Sequence, residues 1–482
     1  MRIFVVLFIV LPFQLSAQDK TKISLDVAIE TAKQSSREQR IAEHTYSLSY
    51  WTYQRYKAGL NPRVAISGTL PNYYRTINPI TLPNGASDFV SQNIASSSLN
   101  LSATQSVAIT GGTLSVGTSL YRIDNFGSYK NTAYTSVPFT ISYSQQNIFF
   151  NPIKWDKKVE SLKISEAESK KIESIEEIAI KTTELYCDLL QAETRLRLDL
   201  QNEKNIIDLL RALEARLEIG TSQLSEVLQS KVSLINAQKS ISNSKLDLKV
   251  AKHAFLRFLD LPLASNIELA LPDSVPFYTV DPEVALQESR QNKYFSHNFQ
   301  RRELELKKEL LKTKAETAPV VSIMANLGLT QTGQRAGDAY QNLLNNQSVS
   351  MGFFLPIMDW GANKASRKRI QAAMEVEKEL ISQQSLTAEK EVVYACARWE
   401  SIVEQIRLAK LANVVANETY EIARQKYSTG NYTFSNFNFA QLEKDRAALE
   451  YLATMRNYWI TKYQIRYLTL YDFEMRRKLK VL

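Results

Sequence analysis

Cysteine, histidine, glycine and proline are all scarce in this 482-residue chain, at 2, 3, 14 and 13 residues. Cys187 and Cys396 stand alone, which excludes a disulfide scaffold, and both fall in helical patterns where free, buried thiols are expected. His44, His253 and His297 are scattered, so no Cys/His spacing suits a metal. With 44% hydrophobic and 23% charged residues, disorder and collagen-like repeats are excluded as well. Past the N-terminus no apolar run reaches the ~18 residues of a membrane helix. There is no phosphate loop, nucleophile motif or metal spacing, so no catalytic, cofactor or metal residue is assigned. The net charge is +9, but Lys and Arg interleave with Glu along the chain. That pattern describes solvated helix faces and not a nucleic-acid surface.

The start of the chain is different. Arg2 precedes the apolar run Ile3 to Leu15, which ends in Ser16-Ala17 before Gln18-Asp19-Lys20. A positive residue, an apolar core and a small residue at the cut describe a secretory signal peptide over 1–17. The mature chain is therefore expected outside the cytoplasm.

Few breakers are present, and their positions define the elements. Gly220 is the only one between Pro152 and Pro262, and Gly430 the only one after Gly361. The stretches between them favour helix. Ile172, Ile175, Ala179, Tyr186, Leu189, Leu196 and Leu200 recur at alternating steps of three and four, with Thr182 and Glu193 on the same stripe. Val392, Cys396, Trp399, Val403 and Ile406 repeat the pattern, as in a coiled-coil seam. Flanking helices are expected over about 25–61 and 224–260, and again over 282–318 and 434–470.

Residues 63–150 and 320–357 are instead rich in Ser, Thr, Asn, Tyr and Val with a period of two. Leu99, Leu101, Ala103, Val107 and Ile109 alternate with polar neighbours, and Gly111-Gly112 precedes Leu114, Val116 and Leu120, a hairpin signal. Six strand-like segments result, four of them in the first half. The Gly-Gly turn reads as tight, whereas 71–97, 124–136 and 330–347 read as long polar connections. Short turns on one side and long loops on the other suit an outer-membrane barrel. An open sheet edge cannot face lipid, so so few strands imply a barrel shared between chains.

The two halves match. A shift of 210 residues places Asn151 on Gly361 and Gly220 on Gly430, and a shift of 257 places Ala28 on Ala285 and Pro62 on Pro319. The 47-residue difference is extra length in the first strand region. The chain thus reads as a first repeat over 18–271, with a long helix at about 151–219 and a tip at 220. A second repeat follows over 272–482, with its long helix at about 361–429 and its tip at 430.

The chain resembles the TolC family of trimeric outer-membrane efflux proteins. The resemblance rests on Ala28–Pro62 and Ala285–Pro319, each ending in Pro before a strand. It rests further on Phe353 to Gly361, from strand into helix, and on Tyr427-Ser428-Thr429-Gly430 before the descending helix. Gln145-Gln146-Asn147 and Leu217 depart from the pattern. The resemblance implies an α+β membrane protein without enzymatic activity, in which a trimeric transmembrane β-barrel of four strands per chain is continued by a long antiparallel α-helical periplasmic tunnel. It also implies a passive exit duct for small toxic molecules in a tripartite efflux or type I secretion system. Implied partners are a homotrimer, a periplasmic adaptor, an inner-membrane pump and outer-membrane lipid. The alternative is a periplasmic coiled-coil adaptor or scaffold without a pore, which explains the heptads but not the strands.

Adaptor contacts are expected at the tips: Gly220, Thr221, Ser222, Gln223 and Leu224 in one half, Gly430, Asn431, Tyr432, Thr433 and Phe434 in the other. The family's periplasmic gate carries over to Glu226 and Tyr427, an acid–phenol link. Asn436 and Phe439 stand where the family's acidic constriction lies, so no strongly cation-selective ring is expected.

Overall fold

The protein is described by a computed structural model over residues 21–127, 130–221, 223–265, 267–271, 275–429 and 431–480. The expected signal peptide lies outside the described residues. In chain order the elements are β1 (Thr21–Ile23), α1 (Leu25–Ser35), α2 (Arg37–Gly59), β2 (Arg63–Thr81), β3 (Ser87–Ser106), β4 (Thr113–Asn125) and β5 (Asn131–Gln145). They continue with α3 (Pro152–Glu218), α4 (Leu224–Phe258), β6 (Ile267–Leu269), α5 (Pro282–Asn292), α6 (Tyr294–Glu316), β7 (Val320–Gly333), β8 (Leu344–Phe354), α7 (Ala362–Ser428) and α8 (Phe434–Thr469).

Both α3 and α7 run for 67 residues, about 100 Å each. Pro152 stands at the first position of α3, where its missing N–H costs nothing, and neither helix contains an interior Gly or Pro. Among the described residues no helix is long and apolar enough to cross a membrane. The flanking helices expected over 224–260 and 434–470 are single rods, α4 and α8, whereas those expected over 25–61 and 282–318 are each broken in two. Ser36 and Lys293 adopt extended backbone and end α1 and α5. Ser36 then accepts the Gln39 N–H, starting α2. The two breaks are 257 residues apart, the spacing that relates the two halves.

The chain divides into two compact units. One holds residues 46–168 and 294–387. Its centre is a six-stranded antiparallel sheet in the order β2-β3-β4-β5-β7-β8. The hairpin around Gly111-Gly112 belongs to this sheet, with β3 pairing β4 from Ile94↔Asn125 to Ser106↔Thr113. The connections are shorter than the sequence suggests. The ladder of β2 and β3 resumes after Pro71 and runs from Asn72↔Ser96 to Thr81↔Ser87, leaving 82–86 as the loop. Likewise β5 starts at Asn131 and β8 at Leu344, so 126–130 and 334–343 are the remaining connections. The expected contrast between tight and long loops is thus replaced by a contrast in strand length. Polar residues outside hydrocarbon can still pair as strand, which composition alone does not show.

The other unit holds 21–45, 169–293 and 388–480 of the described residues. Its core is built on the two helical stripes: Ala179, Tyr186 and Leu189 from α3 and Val392, Cys396, Trp399 and Ile406 from α7 are all buried. Leu200, further along the first stripe, is 44% exposed, so that seam is not filled within this chain. Tyr186 aims its hydroxyl at the carbonyls of Ile23 and Ala270, beside the parallel pair β1–β6. Trp399 donates its indole N–H to the Tyr278 carbonyl at 2.9 Å and stacks near Tyr458, with ring centres 4.9 Å apart. Cys187 and Cys396 are free and buried, and burial pushes their thiols up to about 12 and about 11. Such thiols are inert packing groups.

Candidate functional site

Two regions carry the candidate residues: the sheet, and the helix ends around Gly220 and Thr433. In the sheet, register decides which side chains share a face. Val64 and Ile66 lie opposite Ala103 and Leu101, these opposite Val116 and Thr118, and Val116 opposite Ile141. Ile141 faces Leu327, and the adjoining pairs Val321↔Phe353, Ile323↔Met351 and Ala325↔Val349 hold the same side. The one hydroxyl among these positions, Thr118, donates to the Val137 carbonyl at 3.0 Å and so is hidden. The opposite face carries Ser102, Thr104, Ser115, Ser142, Asn326 and Ser348. There Thr140 and Ser142 donate to Asn326 Oδ1 at 2.7 and 2.9 Å. Across these positions one side of the sheet is apolar and the other carries small uncharged polar groups. This is the division between lipid and lumen in a membrane barrel.

At the first tip α3 ends in Gly220, whose φ is +78°, a left-handed conformation that an L side chain strains to adopt. The N–H of Thr221 donates to the Arg216 carbonyl at 2.8 Å, closing the helix end. Gln223 caps α4 without a side-chain bond, and Leu224 at its start is 60% exposed. At the second tip Asn431 N–H donates to the Lys426 carbonyl at 3.0 Å, and Thr433 caps α8 by accepting from Asn436 N–H. Tyr432 is exposed, and Phe434 is the first residue of α8. Ser222 and Gly430 lie outside the described residues.

The expected gate residues are partly brought together. Tyr427 packs among Leu209, Leu213 and Val227 and also against Phe437, with ring centres 5.2 Å apart and near-parallel planes. Burial holds its hydroxyl above the usual phenol range; the Arg216 charge opposes this and the Glu226 charge adds to it. Glu226 in the first turn of α4 is therefore within electrostatic reach of Tyr427. Asn436 and Phe439 are exposed, and it is Phe437 that the aromatic cluster takes in. Arg216 and Phe437 were not singled out from sequence. The sequence signal for Phe437 is an aromatic side chain three residues after the start of α8.

A second feature had no sequence signal. Asn205 donates from Nδ2 to Tyr420 OH at 3.0 Å and to Gln441 Oε1 at 3.2 Å, and Gln441 donates to Asn202 Oδ1 at 2.7 Å. Gln441 is buried, and Lys444 Nζ sits 4.0 Å from the Tyr420 ring centre. This polar layer ties α3, α7 and α8 together above the aromatic cluster. Its members come from three helices, so no local pattern announces it.

These features place the chain in a class. Residues 290–469 match the family model of the outer membrane efflux protein. Solved outer-membrane channels share the fold over nearly the whole chain. The outer membrane channel CmeC of Campylobacter jejuni is 12% identical with a TM-score of 0.66, covering 92% of this chain and 85% of that one. VceC of Vibrio cholerae is 11% identical with a TM-score of 0.64, covering 92% and 95%. The open-state MtrE channel of Neisseria gonorrhoeae is 12% identical with a TM-score of 0.60, covering 95% and 91%. No curated protein matches the chain in sequence. The resemblance to the TolC family is borne out to this extent: the fold is shared with solved outer-membrane channels, and residues 290–469 match the outer membrane efflux protein model.

Proposed function

We propose that the protein is the outer-membrane exit duct of a tripartite efflux or type I secretion system in a Gram-negative bacterium. It is a passive conduit for small toxic molecules, working as a homotrimer with a periplasmic adaptor and an inner-membrane pump. The observation that carries this reading is the two-faced sheet, apolar on one side and hydroxyl-lined on the other, in a chain whose second half matches the efflux family. A sheet of this kind serves to cross a membrane around water. The long helices of 67 residues supply a periplasmic tunnel of about 100 Å. A coiled-coil adaptor would have no use for the sheet.

Within this reading the tips at Gly220 and Gly430 meet the adaptor, and Tyr427 with Glu226 biases the aperture. Purified trimers in planar bilayers should give discrete single-channel currents. Correctly folded trimers that never conduct would overturn the proposal.

A further inference from the structure

The family's pattern is four strands per chain, whereas this sheet has six. We infer that three copies of this chain close an 18-stranded barrel, in which the free edge of β8 in one copy pairs with the free edge of β2 in the next. The inference rests on the trimeric-channel reading above.

Three observations support it. First, the additional hairpin has the faces of a wall. Leu114, Val116, Thr118 and Leu120 continue the apolar side, and Ser115 and Ser119 the polar side, in unbroken register with β3, and β4 pairs with β5 along its whole length with one register shift between Gly117 and Ser119. A hairpin packed outside the wall would lack that continuity on both flanks.

Second, the edges fit one another. The sheet is an antiparallel meander of even strand number, so β2 leaves α2 in the direction opposite to that in which β8 enters α7. An identical copy therefore extends the sheet in antiparallel sense. Both edges carry unpaired backbone groups through hydrocarbon, each costing several kcal/mol unless a strand covers it.

Third, the stagger suits closure. A line across the ladders from Arg63 passes Thr104, Ser115, Ser142 and Asn326 to Ser348, six residues short of the β8 end at Phe354. If both strand ends sit at one membrane face, that offset of about 20 Å over about 24 Å of sheet gives a strand tilt of about 40°. Setting Phe354 level with the next copy's Arg63 keeps Phe353 and Met351 on the face of Val64 and Ile66. The shear is then about 18 residues for 18 strands, a ratio that tilts strands by about 36°. Both figures express the same six-residue offset, and they fall in the range for membrane barrels. At equal tilt such a barrel is about half as wide again as one of 12 strands.

Two measurements on the full-length chain test this. In that register Ser67 of one copy faces Ser350 of the next. The double variant Ser67→Cys/Ser350→Cys should convert the monomer band to a covalent trimer on non-reducing denaturing gels. Nitroxides at Val116→Cys and Ser115→Cys should divide, the first relaxed by oxygen in the lipid and the second by a water-soluble nickel chelate. Folded trimers without the crosslink, or a label at 116 that only the aqueous reagent reaches, would overturn the 18-stranded wall. Absence of the unmodified chain from outer membranes would overturn the channel reading instead.

Discussion

Individual charges hold the helical unit together where composition suggests only solvated faces. Glu173 is fully buried, with Lys293 Nζ at 3.3 Å, and that ammonium lies 3.8 Å from the Tyr467 ring centre. Burial holds the Lys293 ammonium below the usual lysine range, and Glu173 opposes the shift. One turn along, Glu176 accepts from Arg466 at 2.8 and 3.0 Å. Replacing Lys293 by Met removes the buried ammonium 3.3 Å from Glu173, and Lys170, at 3.7 Å, is half exposed and replaces it poorly. The expected cost is about 3–5 kcal/mol, read as a fall in the unfolding midpoint. Adding Glu173→Gln should recover most of it; no recovery would show that packing and not charge was lost. Lys293 ends α5 in extended backbone, so one residue both breaks the helix and supplies the counter-charge. In sequence it was one lysine among many.

At the gate proposed above, Tyr427→Phe combined with Glu226→Ala should raise resting conductance and antibiotic leakage into cells. The phenol lies among apolar groups, where a hydrogen bond to a charged partner contributes about 1.5–3 kcal/mol. Trimers with unchanged conductance would remove these two residues from gating without touching the duct.

Among the elements, turns decide more than strands. Asn151 donates to the carbonyls of Ala108 and Ile109 at 2.9 and 3.0 Å and accepts the Lys154 N–H, so it caps α3 while clamping the β3–β4 turn. A Cβ on Gly111 would meet Asn151 at 3.0 Å, and the backbone there has φ +84°. Asn151→Ala should cost about 1–2 kcal/mol, visible as an earlier thermal transition of the trimer. An unchanged transition would mean the clamp is not needed. At the tip, Gly220→Val forces a β-branched residue into a left-handed conformation, though no neighbour lies within 4 Å to clash. Efflux should fall while membrane insertion persists. Normal efflux would contradict the tip assignment.

On the scale of the molecule, the chain leaves apolar surface uncovered. On α4, Val232, Ile235, Leu246 and Val250 are 58–65% exposed, a stripe that a lone chain has no use for. Lysine at Ile235 should therefore abolish the heat-sensitive trimers on semi-native gels while leaving the monomer folded by circular dichroism. Persisting trimers would move the subunit contact elsewhere.

The fold class was legible because its signals are local and periodic. Stripes at steps of three and four, alternation at period two and single glycines between long helices all act within one element. The duplication was legible for the same reason, through Gly220 and Gly430 at a spacing of 210 and Pro62 and Pro319 at 257. The structure adds equivalent backbone breaks at Ser36 and Lys293, and left-handed residues at Asp260 and Leu470, which unlike side chains conceal. What sequence could not settle is whatever depends on which element lies beside which. Whether the Gly111-Gly112 hairpin joins the wall was decided by pairing on both its flanks. The length of β2 and β3 beyond Pro71 was decided by cross-strand bonds that polar composition conceals. The Asn205–Tyr420–Gln441 layer and the Glu173–Lys293 pair join residues 215 to 236 and 120 positions apart, and only chain packing makes them neighbours. Periodicity is set by the backbone of one segment, whereas partners are set by the free energy of the assembled whole.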